Sequence, residues 1–170
     1  MKELLEELAE TIKAEIEVQE RTLNKLEEQQ QYVVEHTLEK LEGNITELDS
    51  MIPDFRRLEK SRLELRKHLA ARLGLDDSVT LKTIIEKAVE REAHEPLDHE
   101  LADLRNRLVE LAGAVRAKSK QNMILLRQAI ELNHDLRQKF LGVRGNRVST
   151  YGQDGELVAS TGSGVFNTKV

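Results

Sequence analysis

The 170-residue sequence contains no cysteine and no tryptophan, and it has only 2 prolines. Without cysteine it offers no disulfide framework, no thiolate nucleophile and no cysteine-based zinc site. Aromatic residues make up 3% of the chain. That is few for a β-sandwich or a β-barrel, because aromatic and β-branched side chains fill the faces of sheets. Since Leu, Glu, Lys, Arg and Ala dominate instead, the composition predicts an all-α fold.

Long apolar runs and an excess of basic residues are also missing. No run approaches the roughly 18 apolar residues of a membrane helix, and residues 1–7 lack the apolar core of a signal peptide. The net charge is −5, from 26 basic and 31 acidic side chains that are mixed along the chain. Such a balance gives no general attraction to nucleic-acid phosphates. We therefore expect a cytoplasmic protein that binds no nucleic acid and does not insert into a membrane.

Apolar residues recur at helical spacing along most of the chain. Intervals of three and four place them on one side of three long segments and one short segment, with charged residues on the other side. Gly74 suits a left-handed helix end, and Pro96 suits the first turn of a following helix. Short connections make consecutive helices antiparallel neighbours. We predict an elongated antiparallel up-down-up bundle of three long helices plus one short helix over residues 1–141.

The break between the first two helices has three candidate positions, at 36–37, 43–44 and 50–53. Thr37 is suited to cap a new helix, and Gly43 with Asn44 interrupts the apolar stripe. Pro53 would remove one backbone hydrogen bond and clash with the preceding turn. At Pro53 we expect a kink, or a helix boundary just before it. These residues alone leave the three positions open.

The composition changes after Leu141. Six of the 9 glycines lie in residues 142–170, among Ser, Thr and Asn. A chain segment this polar and rich in glycine cannot offset its ordering entropy by burial. We expect a flexible C-terminal tail over residues 142–170.

Motifs of catalysis and of cofactor binding are missing. The sequence has no P-loop, no GxGxxG, no HExxH and no GxSxG. His94 and His99 flank acidic side chains, but their helical spacing would put the two imidazoles about 140° apart. Acidic residues before a helix are explained by the helix dipole. Apolar stripes supply no cleft that would shift the pKa of a general base. We predict no enzyme activity, no metal and no cofactor.

The last long helix carries more apolar residues than one face can hold. Between Ser119 and Phe140 the apolar side chains fall on more than one side, so they cannot all pack into a three-helix core. Such a surplus is typical of a groove for another chain. The alternative is that the neighbouring short helix covers it. The residues concerned are Ile124, Leu125, Leu126, Ile130 and Leu132.

A single tyrosine stands in the tail, within Thr150-Tyr151-Gly152-Gln153-Asp154-Gly155. Glycines on its C-terminal side permit tight turns. Tyrosine gives a large contact area at low entropic cost. Tyr151 is therefore either an incidental residue or the anchor for a partner.

With these motifs the chain resembles the FlgN family of flagellar export chaperones, which serve the hook-associated (hook–filament junction) proteins. Asn122-Met123-Ile124-Leu125-Leu126 is similar to the family's Asn-x-x-Leu-Leu pattern, and Asn133 stands at another position that is often Asn. Ser119 replaces the first of two Asn that the family often has three residues apart. The segment 150–155 is similar to the Tyr-Gly-x-x-Gly signature. Weaker similarity covers 26–31 and 57–62, the latter at a Leu-Glu-x-x-Arg run.

The resemblance implies both a fold and a function. It implies a helical hairpin broken near 36–37, and a last helix that binds the C-terminal helical segment of a hook-associated protein and so prevents premature assembly. It further implies delivery of this client to the cytoplasmic domain of the export-gate membrane protein of the flagellar type III apparatus, with an export ATPase nearby supplying any nucleotide hydrolysis. The implied client-binding residues are Asn122, Leu125, Leu126, Ile130 and Asn133, and the implied export-gate docking residues are Tyr151, Gly152, Asp154 and Gly155.

The residues by themselves leave an alternative open. A coiled-coil scaffold or dimerisation module with an inert tail would show the same stripes, and its 123–132 face would close a homodimer. The sequence does not fix the oligomeric state.

Overall fold

The computed structural model describes residues 1–91, 97–142, 149–151 and 157–159. These ranges contain the helices α1 (Lys2–Val34), α2 (Leu38–Leu73), α3 (Leu81–Arg91) and α4 (Leu97–Gly142), and the strands β1 (Ser149–Tyr151) and β2 (Leu157–Ala159). The prediction of three long helices and one short helix is confirmed. His94 and Pro96 lie outside the described residues. By its internal contacts the chain divides into two compact units, Met1–Leu126 and Arg127–Val170.

The first helix break lies at residues 35–37, where the family resemblance implies it. His36 adopts φ +55°, in the left-handed region that few non-glycine residues enter. The Thr37 N–H then donates to the Tyr32 carbonyl at 3.1 Å, which closes the end of α1. Thr37 precedes α2 as its N-terminal flanking residue, but its hydroxyl makes no capping bond to α2. It donates back to the Tyr32 carbonyl at 3.5 Å instead.

No helix boundary precedes Pro53, because α2 is one helix that contains it. The proline lacks the N–H that would bond the carbonyl four residues earlier. Packing on both sides of the proline holds the helix together, since Met51 is 9% exposed and Leu65 is 5% exposed. The one missing hydrogen bond therefore costs less than breaking the helix would.

The apolar core of Met1–Leu126 lies where the start of α1, the end of α2, the short α3 and the start of α4 meet. Gly74 ends α2 at φ +70°, and the Thr83 N–H donates to the Thr80 hydroxyl at 3.2 Å as α3 begins. These two turns bring α3 back onto the bundle. The buried cluster consists of Leu5, Leu8, Ala9, Ile12, Leu65, Leu69, Ala70, Ile84, Ile85, Ala88, Leu101 and Leu108.

Pairs between helices show the directions in which they run. Lys13 bonds Glu100 at 2.7 Å and Glu20 bonds Arg107 at 3.0 Å, so α4 runs parallel to α1. The contact between Asn44 and the Lys25 carbonyl, at 2.9 Å, pairs the end of α1 with the start of α2. The up-down-up order predicted for the long helices is the one found.

In the unit Arg127–Val170, β1 and β2 pair as antiparallel strands, with Tyr151 opposite Leu157. The sequence pattern did not predict these strands. No helix within the described ranges has the length and apolarity needed to cross a bilayer.

Candidate functional site

Asn122 lies in the packing between α4 and α1. Its side chain is 2% exposed. Its Nδ2 donates to the Leu26 carbonyl at 2.6 Å and to Gln29 Oε1 at 2.9 Å. The family resemblance places Asn122 among the client contacts. In this structure its side chain instead ties α4 to α1.

The residues that follow Asn122 reach solvent to different extents. Met123 is 50% exposed and Ile124 is 48% exposed. Leu125 and Leu126 are partly buried. The predicted surplus of apolar side chains is therefore present at the surface of this part of α4.

Residues 127–142 continue α4 within the second unit, and each residue from 131 to 140 is exposed. Ile130 is 67% exposed and Leu132 is 58% exposed. Leu136, at 43%, and Phe140, at 75%, follow Leu132 at intervals of four. Intervals of four place the three side chains on one strip of a helix. We call Leu132, Leu136 and Phe140 the apolar strip.

From the sequence, Asn133 is predicted as a client contact, but Leu136 and Phe140 of the apolar strip are not. The Asn133 Nδ2 donates to the Ala129 carbonyl at 3.1 Å, and the side chain is exposed, as a client contact requires. Leu136 and Phe140 have the spacing of a core stripe in the sequence. Only the structure shows that they are uncovered. The sequence signal for their exposure was that they continue the apolar surplus that begins at Ile124.

Within the unit Met1–Leu126 the short helix packs into the buried cluster. Ile84 and Ile85 of α3 are 0% and 6% exposed and belong to the cluster that includes Leu101. Met123 and Ile124 stay 50% and 48% exposed, so α3 does not cover the part of the surplus that lies in this unit. What the exposed residues offer chemically is apolar contact area, which suits binding of an amphipathic helix.

The carboxylate of Glu15 is the one described side chain that combines full burial with a charge and a perturbed pKa. Burial raises the pKa of Glu15, and the Arg62 guanidinium, whose Nε lies 2.7 Å from Glu15 Oε2, opposes that rise. Glu15 is 1% exposed and lies between α1 and α2. Because the Arg62 guanidinium of α2 pairs with this carboxylate of α1, the pair joins the two helices. In the part of the chain that is described, no three His, Asp or Glu side chains are placed to hold a metal ion.

The predicted docking residues fall in the tail. Tyr151 is the last residue of β1. Gly152, Asp154 and Gly155 lie outside the described residues. The role of all four stays a prediction.

Comparison with known proteins gives one family match. The family described as FlgN protein matches this chain over residues 1–159, which include α1 to α4 and both strands. Neither the curated proteins nor the solved structures gave a match.

Proposed function

Because the chain belongs to the FlgN family, whose members are flagellar export chaperones, we propose that it binds the C-terminal helical segment of hook-associated proteins in the cytoplasm. Binding would keep that segment from assembling before export. The chaperone would then deliver its client to the cytoplasmic domain of the export-gate membrane protein. An export ATPase, rather than this chain, would hydrolyse nucleotide.

One observation supports this proposal above the others. Large apolar side chains of α4 are exposed in succession, from Ile130 at 67% to Phe140 at 75%. Exposed contiguous apolar surface on a soluble helix marks an interaction site. A client helix with apolar residues at matching intervals would bury it in a helix-to-groove contact.

The energetics favour reversible capture. Burying one Leu or Phe side chain contributes about 1.5–3 kcal/mol, and association costs about 4–15 kcal/mol of lost freedom. Three or four such side chains contribute about 4.5–12 kcal/mol, which is similar in size to that cost. A near balance of the two suits a chaperone that must release its client at the export gate.

We assign the roles as follows. The client contacts are Leu125, Leu126, Ile130, Asn133 and the apolar strip. Asn122 would act through α4, whose position on α1 it fixes by its bonds to Leu26 and Gln29. The docking contacts with the export gate are Tyr151, Gly152, Asp154 and Gly155.

The test is co-expression with the hook-associated proteins of the same organism, followed by purification of the complex. Leu132→Gln and Phe140→Gln remove apolar area from side chains that are 58% and 75% exposed. Each should reduce the co-purified client about tenfold, the effect of losing roughly 1.4 kcal/mol. Their thermal unfolding should stay close to that of the wild type, because exposed positions change stability by less than about 0.5 kcal/mol.

Glu131→Gln is the matched control, because Glu131 is an exposed neighbour on the same helix and its replacement removes no apolar side chain. It should leave capture unchanged. If no hook-associated protein co-purifies with the wild type, or if the apolar variants capture it normally, the proposal is wrong.

A further inference from the structure

A groove lies open between α1, α2 and α4 within the unit Met1–Leu126, at the end of the bundle away from the buried apolar cluster. Its volume is about 510 Å³. At the other end, α3 packs Ile84 and Ile85 against the long helices. Within the described ranges, no helix fills the groove in the same way. On α2 its lining runs from Ile45 to Glu59, about 21 Å at 1.5 Å per residue, a length that four turns of a helix would fill.

The α2 wall of the groove offers apolar side chains at the spacing of a helix-to-helix contact. Ile45 is 40% exposed and Ile52 is 44% exposed. A second helix with the same spacing would bury them as the members of a coiled coil bury each other. The wall consists of Ile45, Leu48, Ile52 and Phe55, at intervals of three, four and three.

A buried amide indicates that the occupant also forms hydrogen bonds. Gln19 of α1 lines the groove and is 7% exposed, and its amide has no hydrogen-bond partner among the described residues. A buried amide without a partner is costly. On one side of Gln19, Thr22 contacts Met51, and on the other, Glu15 pairs with Arg62. Gln19 therefore lies beside the stretch of α2 between Met51 and Arg62.

Two opposite charges stand at the α2 wall without partners. Asp49 and Arg56 line the groove, and neither forms a hydrogen bond or an ion pair with another described residue. They are seven residues apart, which places them on the same side of α2, two turns from each other. A helix in the groove would pair with both if it carried a basic residue facing Asp49 and an acidic residue facing Arg56.

We propose that the groove binds one amphipathic helix of a partner protein, which lies antiparallel to α2. In that direction its acidic residue, facing Arg56, precedes by seven positions its basic residue, facing Asp49. The helix dipole favours an acidic residue towards the N-terminus and a basic residue towards the C-terminus, so this order suits the antiparallel direction. An uncharged polar residue near the acidic one bonds Gln19. The groove uses none of the apolar strip, so the proposal is independent of client capture there.

Fluorescence anisotropy of a labelled synthetic peptide, titrated with the full chain, tests the groove. The peptide is a helix of about 20 residues with leucines at intervals of three and four on one face. It carries a Glu, a Gln in the leucine face three residues later, and a Lys seven residues after the Glu. The wild type should bind it saturably. Ile52→Glu should weaken binding at least about tenfold, whereas Phe140→Gln should leave it unchanged, because Phe140 belongs to the apolar strip.

Exchanging the charges tests the pairing and the direction. The double variant Asp49→Arg with Arg56→Asp should bind the peptide at least about tenfold more weakly. It should recover binding to a second peptide in which Glu and Lys are exchanged. The matched control is Asp54→Arg with Arg57→Asp, which reverses an ion pair of α2 outside the groove lining. It should bind the first peptide as the wild type does, and circular dichroism should show native helicity in every variant.

Several results would overturn the proposal. They are a wild type that does not bind the first peptide, and binding that ignores either Ile52→Glu or the exchange of charges. Binding lost on Phe140→Gln would place the peptide on the apolar strip instead of in the groove. Equal affinity of the wild type for both peptides would contradict the antiparallel direction.

Discussion

Asn44 of α2 and Asn122 of α4 bind the carbonyls of adjacent residues of α1. The Asn44 Nδ2 lies 2.9 Å from the Lys25 carbonyl oxygen, and the Asn122 Nδ2 lies 2.6 Å from that of Leu26. The two side chains are 4% and 2% exposed. One turn of α1 therefore fixes the positions of both other long helices. Single buried polar residues set register in this way at a cost in stability.

Removing either asparagine should destabilise the bundle. Asn44→Ala deletes one hydrogen bond to α1 and Asn122→Ala deletes two. Each substitution should lower the free energy of unfolding by at least about 1 kcal/mol. Urea denaturation of the purified variants measures this. Asn24→Ala is the control, because Asn24 is exposed on the same α1 helix. Equal stability of all three variants would show that these bonds contribute nothing.

Glu15 should make stability depend on pH. Burial raises its pKa in the folded protein above the ordinary value of 4.5, against the effect of Arg62. Between those two pKa values the folded state binds more protons than the unfolded state. The contribution of Glu15 to stability is thus fully present below the unfolded pKa and is lost as the pH rises through the folded pKa.

Glu15→Gln isolates that contribution. The free energy of unfolding of the wild type minus that of the variant should fall as the pH rises from about 4.5, and should level off once Glu15 is ionised in the folded state. Urea titrations at several pH values between about 4 and 8 give the difference. A difference that stays constant or rises over this range would contradict the assignment.

Two glycines should respond to alanine in opposite directions. Gly43 lies inside α2, and a Cβ there would meet nothing within 4 Å. Gly43→Ala should raise the free energy of unfolding by about 0.5–1 kcal/mol, since glycine weakens helix interiors. At Gly74 the space is equally open, but φ is +70°. Gly74→Ala should lower the free energy of unfolding by about 1–2 kcal/mol, the cost of a left-handed residue with a side chain.

The thermal denaturation midpoints of the two glycine variants check this pair. Because neither new methyl group meets a neighbour, backbone conformation is the only difference between the sites. Shifts of the same sign would contradict the assignment of the Gly74 effect to its left-handed backbone.

Sequence periodicity predicted the helices well because it reports which side of each helix is apolar. Gly74 and the four helices follow from local rules. Periodicity does not report what lies opposite that side. Asn122 is therefore buried where a partner contact was expected, while Phe140 has core spacing and is exposed. Pro53 likewise lies inside a helix, because contacts distant in sequence outweigh the local break.

Tyr151 should separate docking at the export gate from client binding. It lies in β1, in the unit Arg127–Val170, whereas the buried cluster consists of residues of Met1–Leu126. Tyr151→Ala should therefore keep native helicity by circular dichroism and capture the client as the wild type does. It should reduce export of hook-associated proteins, measured in the culture supernatant of a strain that carries only this variant, because the aromatic anchor is lost.

Tyr151→Phe distinguishes the ring from the hydroxyl in that docking contact. Export that recovers with Phe assigns the contact to the apolar area of the ring, whereas export that stays low assigns it to a hydrogen bond of the hydroxyl. Normal export by Tyr151→Ala would remove this residue from the docking site. Loss of helicity in Tyr151→Ala would instead make the tyrosine part of the fold, and docking would then have to rest on other residues of the tail.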